Sequence, residues 1–281
     1  MIARRISLLS LVCLSVVSLH IAAGQQAHTL KYQFEKGKVY KYTDSVLVNS
    51  TQEMMGQEMK VASNVYSVTR AEVVDVKPDG GCVLMISSDS MRISMKSPRG
   101  DTTMTLTDMI GKRTRVTMNA AGDVVRRETV DSVKLGGMGR GVPQRELFRT
   151  HTLPAKSLMI GEKWNAKRSD TTEAMGGKNV STSTIEYTLA GAEKFGGREC
   201  LKITYAGKVA ITGKGSMQGM DVFTEGTGTM SGTFFFDENG GLLVADNGKF
   251  NNEMTAAVTG AQNMTIPISQ VGTMRHILMT K

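Results

Sequence analysis

The chain has 281 residues, 40% of them apolar and 5% aromatic, with three cysteines and a formal net charge of +8. That length suits one large β domain or two of ordinary size. So few aromatics argue against the two aromatic girdles of an outer-membrane barrel, and against a nucleic-acid surface built on stacking platforms.

Residues 1–24 read as a signal peptide. Met1 to Arg5 form a short basic start, residues 6–21 an apolar run, and Ala22-Ala23-Gly24 supplies the small residues that a signal peptidase needs. Cys13 lies inside the apolar run with no small residue before it, which argues against a lipid-modified cysteine. No later segment approaches the roughly 18 unbroken apolar residues of a membrane helix. The expectation is an exported protein, periplasmic or extracellular, that is not integral to a membrane after cleavage.

The rest reads as strands and turns. An apolar run at 30–34 breaks at Glu35-Lys-Gly-Lys38, and a Thr/Val/Ser-rich strand follows from Val39 to about Glu53. Met55-Gly56-Gln57 marks a hairpin, and a long strand covers 58–76. After the Pro78-Asp-Gly-Gly81 turn, the stretch 82–96 alternates most clearly near its end, with Met91, Ile93 and Met95 on one side and Arg92, Ser94 and Lys96 on the other. Met104 and Leu106 follow a turn at Pro98-Arg-Gly-Asp101. Thr114, Val116 and Met118 then lead to an Asn119-Ala-Ala-Gly122 hairpin and a strand at 124–130. Between Leu135 and Pro143 the chain is glycine-rich, and 144–151 after Pro143 is the single short helix that start signals support. The last third offers strands at 221–236, 242–258 and 263–279. Gly226-Thr-Gly-Thr-Met-Ser-Gly232 suggests bends or close backbone approach in a curved sheet.

Motifs recur at an offset between roughly 118 and 124 residues, the sign of an internal repeat. Gly37-Lys-Val-Tyr40 matches Gly161-Glu-Lys-Trp164, Met55-Gly56 matches Met175-Gly176, Tyr66 matches Tyr187, Cys82 matches Cys200, and Asn119–Gly122 matches the Asp237-Glu-Asn-Gly240 turn. The expected fold is therefore all-β and mainly antiparallel: two tandem related β-meander repeats forming curved sheets or half-barrels. The expected division is 25–133 for the first repeat, 134–157 for the linker and 158–281 for the second. The equivalent cysteines Cys82 and Cys200 are either a disulfide near a pseudo-twofold axis or two buried thiols.

Chemistry is sparse. The chain shows no His-Glu-x-x-His, phosphate-loop or Gly-x-Ser-x-Gly motif, and the three histidines beyond residue 24, His28, His151 and His276, stand far apart without metal-ligand spacing. His151 reads as a linker surface histidine and His276 as a satisfied or exposed sheet residue. No carboxylate pair stands out as acid and base, and neither Gly136–Gly141 nor Gly213–Gly219 opens a helix that would cradle phosphate. The expectation is a non-enzyme without cofactor or metal. The 20 methionines are the odd feature, since Met adapts to variable apolar partners. Met85, Met91, Ile93, Met95, Met104, Leu106, Phe234 and Phe236 are the candidate lining of a concave face for a lipid or lipidated peptide, or else the core of a structural or protein-interaction module. Thioether binding of Cu(I) by Met54, Met55 and Met59, or by Met217 and Met220, is a weaker reading because no His or Cys joins them. A basic stretch with Lys112, Arg113, Arg115, Arg126 and Arg127 is either a contact for an anionic envelope surface or a solvated face.

The leader, the Gly-Lys-Val-Tyr start at Gly37, the Gly-Glu-Lys-Trp restart at Gly161 and the Phe236-Asp-Glu-Asn-Gly-Gly241 hairpin resemble uncharacterised, domain-of-unknown-function families of exported bacterial β-rich proteins. That resemblance implies a cell-envelope setting and no particular activity. In architecture the chain is also similar to lipoprotein carriers of the LolA/LppX type, in which a curved antiparallel sheet under a helical lid holds acyl chains. It departs from them in its paucity of helix and its duplication.

Overall fold

Residues with alternating apolar and polar side chains, punctuated by Gly-containing turns, have one economical solution: strands paired to their sequence neighbours. A computed structural model describes residues 26–54, 56–131, 148–174, 177–217, 220–260 and 263–280. Within them twelve strands form one antiparallel sheet. The first half contributes β1 (Val39–Met54), β2 (Gln57–Val76), β3 (Cys82–Ser97), β4 (Gly100–Thr105), β5 (Thr114–Met118) and β6 (Val124–Thr129). The second contributes β7 (Lys163–Ala174), β8 (Gly177–Phe195), β9 (Arg198–Met217), β10 (Met220–Asp237), β11 (Leu242–Thr259) and β12 (Met264–Leu278). The only helical element among the described residues is a 3-10 turn at Thr107–Met109. The leader and the Gly-rich part of the linker lie outside the described residues. So does half of the expected helix; its other half, 148–151, is extended or bent.

The strand order is β6-β5-β3-β2-β1-β12-β11-β10-β9-β8-β7, with β4 also paired to β3. The halves thus share one sheet, joined where β1 pairs with β12 from Tyr42↔Leu278 to Gln52↔Ile268. The sheet is not closed, and β6 and β7 are its free edges. Both halves are runs of hairpins. Against β3, β4 and β5 take the place that the unbroken β10 takes against β9, and the 3-10 turn lies between the two pieces.

One face of the sheet is buried at the end bearing the Asn119–Gly122 and Asp237–Gly241 turns. Tyr42, Val73, Leu84, Ile86, Val116 and Met118 form one cluster there. Ile185, Tyr187, Leu189, Ile203, Phe234 and Phe236 form a second. This is called the inner face below. The run 30–34, read from sequence as a strand, makes no ladder. It enters the interior beside 148–158, where Leu30, Tyr32, Leu153 and Leu158 join the second cluster. The two segments meet through backbone bonds between His28 and Leu158. Each is also held by a turn of the other half. Gln33 N–H donates to Gly241 O at 3.0 Å, and Leu153 N–H donates to Ala121 O at 2.8 Å. A plug made of the two lead-in segments, each gripped by the opposite half, thus fills the curved sheet. Gly122 makes this possible. Its φ is +92°, and a Cβ there would lie 2.7 Å from His151 O and 2.9 Å from a Tyr32 ring carbon.

Candidate functional site

Two places carry chemistry: a buried polar row under the plug and a trough on the opposite, outer face. The row exists because Asp44, His276 and Asp246 are directly opposite one another on β1, β12 and β11, all facing inward. His276 is fully buried and Asp44 and Asp246 nearly so. Burial of that kind requires partners. His276 Nδ1 donates to Asp44 Oδ1 at 2.6 Å, and Thr69 Oγ1 donates to Asp44 Oδ2 at 2.8 Å. Tyr42 stacks on the His276 ring at 4.2 Å and Phe148 meets it edge-on. Among the described residues His276 Nε2 has no hydrogen-bond partner.

Asp246 is served from the plug. Its Oδ2 lies 3.2 Å from His151 Nε2, and its Oδ1 accepts from Tyr205 Oη at 3.0 Å. His151 is itself stacked on Phe234 at 4.1 Å. Burial works to raise the Asp246 carboxyl. The His151 ring, Arg149 and the Tyr205 hydroxyl outweigh it and hold the group below the ordinary carboxylate range. Desolvation first, then the Asp246 charge, pushes the Tyr205 hydroxyl far up; Tyr187 rises to about 12, also mainly through burial. Further along the plug, Arg168 Nη1 donates to Thr150 O at 2.6 Å and Trp164 Nε1 to Thr152 O at 2.9 Å. The row is sealed by aromatic rings. Its chemistry is that of a polar latch for the plug.

The surface expectation for His151 is therefore corrected: it is buried because the linker folds back under the sheet. His276 is satisfied through Nδ1, and His28 pairs with Glu238 at 2.9 Å. Sequence held a signal for the row. Asp44 falls in the apolar phase of Tyr42 and Val46, and His276 in that of Met274 and Leu278.

The trough has a volume of about 650 Å³ and crosses β7 to β12. Its floor is two rows of outward side chains, Glu186, Ala206, Ser231 and Lys249 in one, and Thr184, Lys208, Thr229, Asn251 and Val271 in the other. Met230 and Phe250 approach it from the inner phase. Inner-face glycines on β9, β10 and β12 let neighbouring backbone come close here. A Cβ on Gly207 would lie 2.6 Å from Thr184 O, one on Gly232 2.5 Å from Asn247 O, and one on Gly272 2.6 Å from Leu47 O. Only a residue without a side chain allows those carbonyls so close.

The predicted lining residues are elsewhere. Met91, Ile93, Leu106, Phe234 and Phe236 are buried in the two clusters, with Met95 and Met104 packed against the first. Met85 is on the outer phase of β3, opposite Glu72 and Arg115. The expected open Met-lined face is thus a filled core. Cys82 and Cys200 are free and buried, so the disulfide alternative is corrected. Cys82 sits in the inner cluster and Cys200 in an outer-face cluster with Phe235 and Val244, with five strands between β3 and β9. Burial raises the Cys82 thiol to about 11. Of the basic stretch, Arg113 forms a two-pronged pair with Asp131 (2.8 and 3.1 Å), Arg126 pairs with Glu128 at 2.8 Å, and Arg115 stands opposite Glu128 in register. Arg127 is half-buried, and Lys112 flanks the Arg113–Asp131 pair. Met59 and Met220 are half-buried on separate hairpins, and no cluster of three or more His, Cys, Asp or Glu suited to a metal occurs among the described residues.

No family model and no curated protein matches the chain. Among solved structures it is similar to OccK2 (OpdF) of Pseudomonas aeruginosa, solved in complex with glucuronate, with a TM-score of 0.28 and 6% identity over 88% of this chain and 100% of that one. It is also similar to an outer membrane channel from Pseudomonas putida, with a TM-score of 0.26 and 10% identity over 88% of this chain and 97% of that one. At these scores the likeness transfers no residue, ligand or role.

Proposed function

We propose that this chain is a non-catalytic β-protein of the bacterial cell envelope that binds an amphiphilic ligand in the outer-face trough. The observation that carries the reading is the trough itself, which combines ligand-pocket volume with hydroxyl, amide, ammonium and apolar groups on a rigid sheet. The signal-peptide pattern of residues 1–24 supports the envelope setting. The sealing of the His–Asp row by aromatic rings supports a role without catalysis. Native mass spectrometry of the chain from residue 25, extracted gently from cells, tests the reading. The expected result is a co-purifying amphiphile of defined mass, lost on denaturation. A bare protein mass, together with no heat of binding on titration with single-chain amphiphiles, removes it.

A second reading, a structural or protein-interaction module, has one observation in its favour: the Met-rich set expected to hold ligand is an ordinary packed core. The same titration separates the two readings, because a closed module takes up no amphiphile.

A further inference from the structure

The trough is chemically lopsided. On the outer face, Lys163 meets Glu186 at 2.8 Å and Lys202 meets Glu193 at 2.9 Å. Lys208 and Lys249 have no such partner among the described residues. The cross-strand neighbours of Lys208 are Thr184 and Thr229. Those of Lys249 are Ser231 and Thr273. The one acid of the trough, Glu186, is already engaged by Lys163. The two lysines flank β10 from β9 and β11, so their strands are roughly 10 Å apart. Two flexible four-carbon stems from that spacing can converge on one anion, with the hydroxyls of Thr229 and Ser231 beneath it.

At its other end the trough runs out over apolar side chains. Val271, at 53% exposed, is a trough residue on β12. Leu47 on β1 is diagonal to it, since Leu47 opposes Thr273 and Val271 opposes Asn49. Tyr66 on β2 is diagonal to Leu47 in the same way, since Tyr66 opposes Ser45 and Leu47 opposes Asn64. Leu47 is 42% and Tyr66 43% exposed. Diagonal neighbours are about 7–8 Å apart, close enough for one chain to touch all three in turn. Scattered exposed apolar residues are ordinary. A line of them that starts in a cavity beside two unpaired cations is a ligand pattern.

From this we infer that the ligand is a single-chain amphiphile with an oxyanion head, the head held between Lys208 and Lys249 and the chain laid across Val271, Leu47 and Tyr66. This rests on the proposed function and specifies its ligand class. Carboxylate and phosphate heads share the required chemistry, and the test distinguishes them.

The experiment is calorimetric titration of the chain from residue 25 with dodecanoate, dodecyl phosphate and dodecanol. Both anions should bind at least about tenfold more tightly than the alcohol, as charge-assisted hydrogen bonds require, and the tighter of the two identifies the head. High salt should erode that advantage. The double variant K208Q/K249Q, exposed and with an unchanged melting temperature, should bind all three alike, whereas V271D should weaken all three. Equal binding of acid and alcohol by the unaltered protein overturns the head assignment and leaves the amphiphile reading standing. Failure of all three to bind overturns both.

Discussion

Asp44 and His276 show how a charged residue enters a β core. Each sits in the apolar phase of its strand, and each is tolerated because the other is directly opposite. Removing one strands the other, so Asp44→Ala should destabilise the protein by about 3 kcal/mol in urea unfolding, and His276→Ala comparably. Asp246 gives a pH signature. Its carboxyl is held below the ordinary range in the folded chain. Its contribution is therefore complete above the unfolded value of roughly 4 and disappears as pH falls through the lower folded value. Melting temperature should decline across that acid window, and Asp246→Asn should flatten the decline. The two free thiols, both buried, should react with a thiol reagent only after denaturation. At this scale sequence was least legible. Which histidine is buried depends on where the linker folds, and no local pattern around His151 announces that it lies under Phe234 and beside Asp246.

Strands were far more legible, because alternation and Gly-containing turns are local signals. The starts of β2, β3, β5 and β6 fall within a residue or two of expectation. The exception at 30–34 is instructive. Its apolar residues are buried, yet the segment fills the interior beside 148–158 instead of joining a ladder, a long-range outcome that no local pattern encodes. The glycines in 226–232 do mark close backbone approach, and Gly207 and Gly272 belong with them. Gly207→Ala puts a methyl group against Thr184 O, and should cost about 1–3 kcal/mol and weaken the proposed binding in the trough. Gly122→Ala meets both a positive φ and the plug, and should cost more than Gly207→Ala. The trough could not be read because its lining comes from side chains on six strands whose shared curvature no single segment encodes.

For the whole molecule, the sequence left open whether the two repeats make separate half-barrels or one sheet, and they form a single sheet with β1 and β12 at its centre. One sheet with a shared plug should unfold as one unit. The fluorescence of Trp164, the sole tryptophan, should therefore follow the same denaturant curve as the far-ultraviolet signal of all twelve strands. Two separable transitions would show that the halves are independent. The duplication proposed from the spaced motifs has its own measurement, superposition of residues 37–130 on 161–250.

The central seam has a consequence for birth order. Asp44 and His276 are 232 positions apart, so β1 must wait for a strand made long after it. Until that pairing forms, the bare backbone edge of β1 is a template for any extended chain nearby. Maturation should thus be slow, limited by a long-distance closure, and vulnerable to clumping until it is done.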